Sequence, residues 1–99
     1  MSVLGDKQRK FARDFPLLIQ YAHALGYEVT FPPEHEKHIA KSLHYKGLAK
    51  DINLFLDGEY LKDTEDYLPL GELWERLGNT WGGRFNDGNH FSITHGGVK

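Results

Sequence analysis

The chain has 99 residues, enough for one domain with its own core, and its 39% apolar and 13% aromatic content excludes a disordered tract. A net charge of -2 with no run of like charges speaks against a nucleic-acid partner, and no apolar run is long enough for membrane insertion. Without cysteine there are neither disulfides nor thiolate metal sites, so a metal would have to be held by histidine and carboxylate.

From Asp6 to Leu25 the apolar residues Phe11, Phe15, Leu18, Ile19, Ala22 and Leu25 recur at helical spacing. Asp6 suits the N-cap and Gly26 the C-terminal stop, while Pro16 predicts a kink or two abutting helices. "YEVTF" reads as a short strand closed by Pro32 and Pro33, and "PEHEKHIAKSL" as a short helix with proline in its first turn. "LAKDINLFLDGEYL" carries the clearest strand signal. Ile52, Leu54 and Leu56 would share one face, Asp51, Asn53 and Phe55 the other, with a hairpin at Asp57-Gly58. "YLPLGELWERLG" repeats Leu70, Leu73, Trp74 and Leu77 at helical spacing and stops at Gly78. "TWGGRF" and "HFSIT" read as short strands around the turn residues "NDGN". The order predicts a single α+β domain over 1–99, a small antiparallel sheet flanked by helices.

His44 and Asp51 are seven residues apart, which in an unbroken strand would put them on opposite faces. Gly47 between them can take a positive φ cheaply, so a turn there would let both side chains converge. His90 is the third candidate. Two imidazoles and one carboxylate would leave a fourth position open, as in a catalytic rather than a structural zinc site. A water activated at such a site needs a proton acceptor, and Asp87, three residues before His90, is placed to serve. The same residues also suit an ordinary hairpin turn at Asp87-Gly88 and a strand end at Asp51, and spacing leaves both readings open.

Other motifs fail on spacing. "HEKH" has its histidines three apart, where the zinc-protease helix needs four, so His35 and His38 read as a solvated helix face. "DINLFLDG" has Leu56 where a calcium loop requires glycine. "WGG" lacks the lysine of a phosphate-binding loop, and Ser42 has no histidine arranged as its base. His23 reads as a packed or exposed helix residue, and His95 as a surface residue of the tail that lies close enough in sequence to approach the site.

"SLHYKGLAKD" fits the pattern S-x-H-x-x-G-x-A-x-D, and "DGNH" supplies D-x-x-H downstream, with "WGGRF" just before it. Together these resemble the zinc D-Ala-D-Ala peptidases and the phage L-alanyl-D-glutamate endopeptidases. The phage members also show a helix like "PLGELWERLG" ahead of the W-G-G, here Pro69 to Gly78. The resemblance implies an α+β fold with one Zn2+ per chain at the sheet face, held by His44, Asp51 and His90, with Asp87 as general base. It implies that Ser42 contacts substrate or supports the first ligand, and that Trp81, Gly82 and Gly83 line the cleft, although Trp81 also reads as a core aromatic. The implied substrate is bacterial peptidoglycan, cut between L-alanine and D-glutamate in phage-type lysis. The alternatives are a D-Ala-D-Ala carboxypeptidase and a non-catalytic, zinc-stabilised module that binds wall peptide. "MSVLGDKQRK" has no signal-peptide segment, so the expected route is synthesis in the host cytoplasm and action on the wall after release. The chain departs from the family in one respect: no arginine lies between Val29 and Lys41. Lys37, Lys41 or Arg84 would have to replace it, and a lysine does not reproduce a bidentate guanidinium contact.

Overall fold

The computed structural model describes residues 2–33, 43–44 and 46–99. The helix expected over 33–43 falls almost wholly outside them, as do His35, His38, Lys37, Lys41 and Ser42.

The first helix, α1, runs over Val3–Ala24 and begins earlier than expected. Ser2, not Asp6, is the N-cap, its hydroxyl accepting the Gly5 N–H at 2.9 Å. Asp6 sits instead in the first turn, where a negative charge suits the helix dipole, and pairs with Arg9. Of the two outcomes expected at Pro16, two abutting helices are not formed: one helix continues through the proline. Proline removes one backbone hydrogen bond, but Phe15, Leu18, Ile19 and Ala22 around it all pack into the main core, and that packing carries the helix across. Gly26, at φ 93°, closes the helix, with its N–H on His23 O and the Tyr27 N–H on Ala22 O, both at 3.0 Å.

The strands are β1 (Glu28–Thr30), β2 (Ala49–Asp51), β3 (Asn53–Leu56), β4 (Glu59–Leu61), β5 (Thr80–Trp81) and β6 (His90–Ser92), and the second helix is α2 (Leu68–Arg76). They form two antiparallel sheets rather than one, ordered β1-β3-β4 and β2-β6-β5. The α+β class stands, but the strand expected over 48–56 is divided at Ile52. The Ile52 N–H still bonds across the β2–β6 register, to Asn89 O at 3.0 Å, while its fully buried side chain joins the core. The chain therefore enters one sheet before Ile52 and the other after it. Asp57 and Gly58 both have positive φ, the conformation of a two-residue hairpin turn, and pair Leu56 with Glu59.

The core lies between α1, α2 and both sheets and is built on Trp74, Phe91, Tyr67, Leu18, Ile52, Leu54 and Leu70. Trp74 meets Phe11, Phe15 and Phe91 edge-on and donates its indole N–H to Ser92 O at 3.0 Å. Each such buried side chain contributes about 1.5–3 kcal/mol. Lys10 fastens α1 to the end of α2, donating to Leu77 O at 2.8 Å and Asn79 Oδ1 at 2.9 Å while paired with Asp14. Among the described residues no helix is long and apolar enough to cross a membrane.

Candidate metal centre

His44 stands in a tight loop between Leu43 and Leu48. The loop is closed by the Leu48 N–H on Leu43 O at 2.8 Å and the Gly47 N–H on His44 O at 3.2 Å, with Gly47 at φ 72°. A non-glycine residue would be strained at that φ, which is why the turn that redirects the chain falls there. Leu43, Leu48 and Ala49 are buried beneath the loop with Leu4 of α1 against them, and Gln8 of α1 donates to Lys46 O at 2.8 Å. Asp51 ends β2 directly opposite His90, the first residue of β6. Opposed residues of an antiparallel pair project to the same face, so the register alone brings these two side chains together.

Three donor atoms meet at this point. His44 Nε2 is 3.3 Å from His90 Nδ1 and 3.3 Å from Asp51 Oδ1, and His90 Nδ1 is 3.2 Å from Asp51 Oδ1. The triangle is almost equilateral. A tetrahedral zinc ion with bonds of about 2.0 Å has ligand–ligand edges of about 3.3 Å, so the donor set fits such an ion in both size and chemistry. A network of hydrogen bonds accounts for it less well. If both rings donate to the carboxylate, two N–H groups face one another across the short nitrogen–nitrogen contact. His44 and His90 are about nine-tenths buried, whereas Asp51 is 35% exposed, leaving the site open on the carboxylate side. Burial pushes the Asp51 carboxyl upward, but the imidazoles of His44 and His90 beside it outweigh that and hold it far below the ordinary carboxylate range.

Asp87 is held beside this triangle by backbone contacts. Its N–H reaches Gly82 O at 2.9 Å, and its carbonyl accepts from the His90 N–H at 3.1 Å, so base candidate and ligand share one turn. Burial raises its pKa; the charges of His90 and His44 oppose that rise and the charge of Asp51 adds to it. Asp87 also lines a cavity of about 170 Å³ with Tyr60, Lys62, Thr64 and Asn89, between the β4 side of the molecule and the 86–89 loop.

The remaining expected site residues fare differently. Trp81 does not line the cleft: it is 2% exposed, its indole N–H bound to Gly88 O at 2.7 Å. A Cβ on Gly71 would lie 2.1 Å from the Trp81 ring and one on Gly83 2.2 Å from it, so the two glycines admit the ring into the wall beneath the site. "TWGGRF" accordingly is strand only at Thr80–Trp81 and turns through a 3₁₀ segment at Gly82–Phe85. Arg84 is engaged by Glu75 through two hydrogen bonds of 2.9 and 2.7 Å and lies over the Trp81 ring, a contact between surface and helix rather than a free cation. Ser42 and Lys41 fall outside the described residues.

Two further features were missed in the sequence. Phe85, 45% exposed, has its ring 6.0 Å from that of His90 and forms an apolar lip beside the ligand. The tail also returns to the site: His90 Nε2 is 3.2 Å from the backbone oxygen of Lys99. The only sequence signal for that return was the glycine pair in "THGGVK", which marks a turn without saying where it leads.

A family model described as D-alanyl-D-alanine carboxypeptidase matches residues 35–93, a span that contains all three donor residues and Asp87. No curated protein matches the chain. With the family's span covering more than half of the sequence and the donor triangle inside it, the chain belongs to the D-alanyl-D-alanine carboxypeptidase family of zinc metallopeptidases, which act on peptidoglycan.

Proposed function

We propose that the protein is a zinc endopeptidase that cuts peptidoglycan stem peptides between L-alanine and D-glutamate in phage-type lysis, with one zinc per chain. The observation that carries the zinc chemistry is the triangle of His44 Nε2, Asp51 Oδ1 and His90 Nδ1, with edges of 3.2–3.3 Å. The choice of bond rests on the helix before the W-G-G, now α2, which resembles that of the phage enzymes. The family's description favours the second reading, removal of terminal D-alanine.

In this reading His44, Asp51 and His90 would hold the ion. Bound zinc supplies Lewis-acid polarisation of the scissile carbonyl and makes a nearby water more acidic. Asp87 takes the proton from the attacking water on a carboxylate oxygen and returns it to the leaving amine. Its raised pKa suits the first half of that task, because a carboxylate that binds a proton more readily is a better base. The peptide lies along the cavity beside Asp87, where Tyr60, Thr64 and Asn89 offer hydrogen-bonding groups to its backbone.

The test is a digest of purified peptidoglycan by the zinc-loaded protein, with fragments read by mass spectrometry. New amino termini on D-glutamate support the endopeptidase. Release of D-alanine alone transfers the assignment to the carboxypeptidase. A zinc-loaded protein that releases nothing leaves a wall-binding module and removes the catalytic role from Asp87.

A further inference from the structure

The residues after β6 form a small closed structure of their own. His95 and Val98 exchange both backbone hydrogen bonds at 3.0 Å around Gly96 and Gly97, whose φ values are 59° and 79°. Two successive positive φ angles are what a tight two-residue hairpin turn requires. The turn is fastened at its base. Lys7 of α1 donates to Thr94 O at 2.8 Å and lies 3.4 Å from His95 Nδ1, and the Thr80 and Thr94 hydroxyls are 2.6 Å apart. The turn brings the next residue back over the site, and the backbone oxygen of Lys99 arrives 3.2 Å from His90 Nε2.

The backbone oxygen of Lys99 bears no hydrogen and only accepts, so His90 Nε2 must carry the hydrogen of that bond. In a neutral imidazole the other nitrogen, Nδ1, then holds a lone pair, and Nδ1 is the atom that faces His44 and Asp51. We infer that the 95–98 turn is a positioning element of the metal centre: through the backbone oxygen of Lys99 it selects the His90 tautomer and fixes the ring so that Nδ1 presents its lone pair to the ion. This rests on the zinc reading above and adds a part to it. The imidazole of His95, the tail residue nearest in kind to a ligand, has no share in the role. The backbone acts, and any side chain at position 99 would serve.

The turn can be opened without touching a ligand. A Cβ at Gly96 or Gly97 meets nothing within 4 Å, so the positive φ is the only obstacle to substitution. Gly97→Val in the full chain disfavours the turn, whereas Gly96→Asn retains it, because asparagine before glycine suits this turn type. Zinc affinity is measured by competition with a chelator, and hydrogen exchange at the His95 and Val98 amides shows whether the turn has opened. The His90 ring proton is followed by nitrogen–proton correlation. Expected for Gly97→Val are an unchanged metal-free fold, a zinc affinity lower by roughly ten- to a hundredfold, and a His90 Nε2 proton that exchanges freely with water. Gly96→Asn should match the parent in all three. Should Gly97→Val alone leave the turn closed, or fail to fold, Gly96→Val is read in its place. An open turn with parental zinc affinity and a protected Nε2 proton overturns the positioning role while leaving the zinc site intact. A parent that takes up no zinc overturns the metal reading itself, and the inference falls with it.

Discussion

Replacing Gly82 by alanine places one methyl group where the two halves of the candidate machinery meet. Its Cβ would lie 2.3 Å from the carbonyl oxygen of Asp87 and 2.8 Å from the Cβ of His90. An ordinary carbon–oxygen contact is about 3.3 Å, so the turn must open by about 1 Å. The first obstacle is backbone, not the end of a flexible side chain, and cannot yield without moving Asp87 itself. Misplacing a catalytic group by about 1 Å costs about a hundredfold in rate, equivalent to about 2.7 kcal/mol of barrier. Overpacking of this kind also lowers stability by about 1–3 kcal/mol. The control is Gly78→Ala, whose Cβ meets nothing but whose φ of 89° strains an alanine by about 1–2 kcal/mol. Both variants should therefore lose comparable stability, by about 4–8 °C of Tm per kcal/mol, while only Gly82→Ala loses zinc-dependent hydrolysis of peptidoglycan. The assay is the rate of fragment release at saturating zinc, with thermal melts alongside. Equal rates for the two variants would refute the claim that Gly82 sets the spacing between Asp87 and His90.

Asp87→Asn keeps the shape of the turn and removes the proton acceptor, so hydrolysis should fall by about 10²–10⁴-fold with zinc content unchanged; retained activity would take the base role from Asp87. His44→Ala removes one of the three donors. The parent should gain about 2.7 kcal/mol when zinc is a hundredfold above its Kd, and the variant's melting curve should no longer respond to zinc. Acid stability should depend on Asp14. Burial raises its carboxyl, but hydrogen bonds from Lys10 and Asn79, with the charges of Lys10 and Arg13, hold it below its ordinary value of 3.8. A lowered folded-state pKa means that the contribution is complete above the unfolded value and is lost as pH falls below it. Asp14→Asn should thus narrow the stability gap between pH 6 and pH 3, and an unchanged gap in denaturant melts would show that the Lys10 network does not supply it.

The outcomes at Pro16, Ile52 and Trp81 share a cause. In α1 the apolar spacing was legible, but Pro16 was read through its local cost, and only the packing of Phe15, Leu18 and Ala22 shows that this cost is outweighed. At Ile52 the alternation of apolar residues continues unbroken across a point where the chain changes sheets, because periodicity reports burial and not which neighbour supplies it. Trp81 carried two readings, and the space left by Gly71 and Gly83 decides for the core.

What the sequence determined by itself was the chemistry. The absence of cysteine restricted a metal to imidazole and carboxylate, Gly47 marked the turn that frees His44 from the strand face, and the paired motifs named His44, Asp51, His90 and Asp87 together. The first two are properties of residue type and local conformation, which short spacings can carry; the third rests on the resemblance to a family, since spacing alone left the turn reading open. The tertiary structure alone decided the meeting of the parts: the register that sets Asp51 opposite His90, the 3.2–3.3 Å triangle they make with His44, and the backbone oxygen of Lys99 behind His90. Each of these joins segments far apart in the chain. Their distances follow from the packing of the intervening core, and no local pattern in the sequence records them.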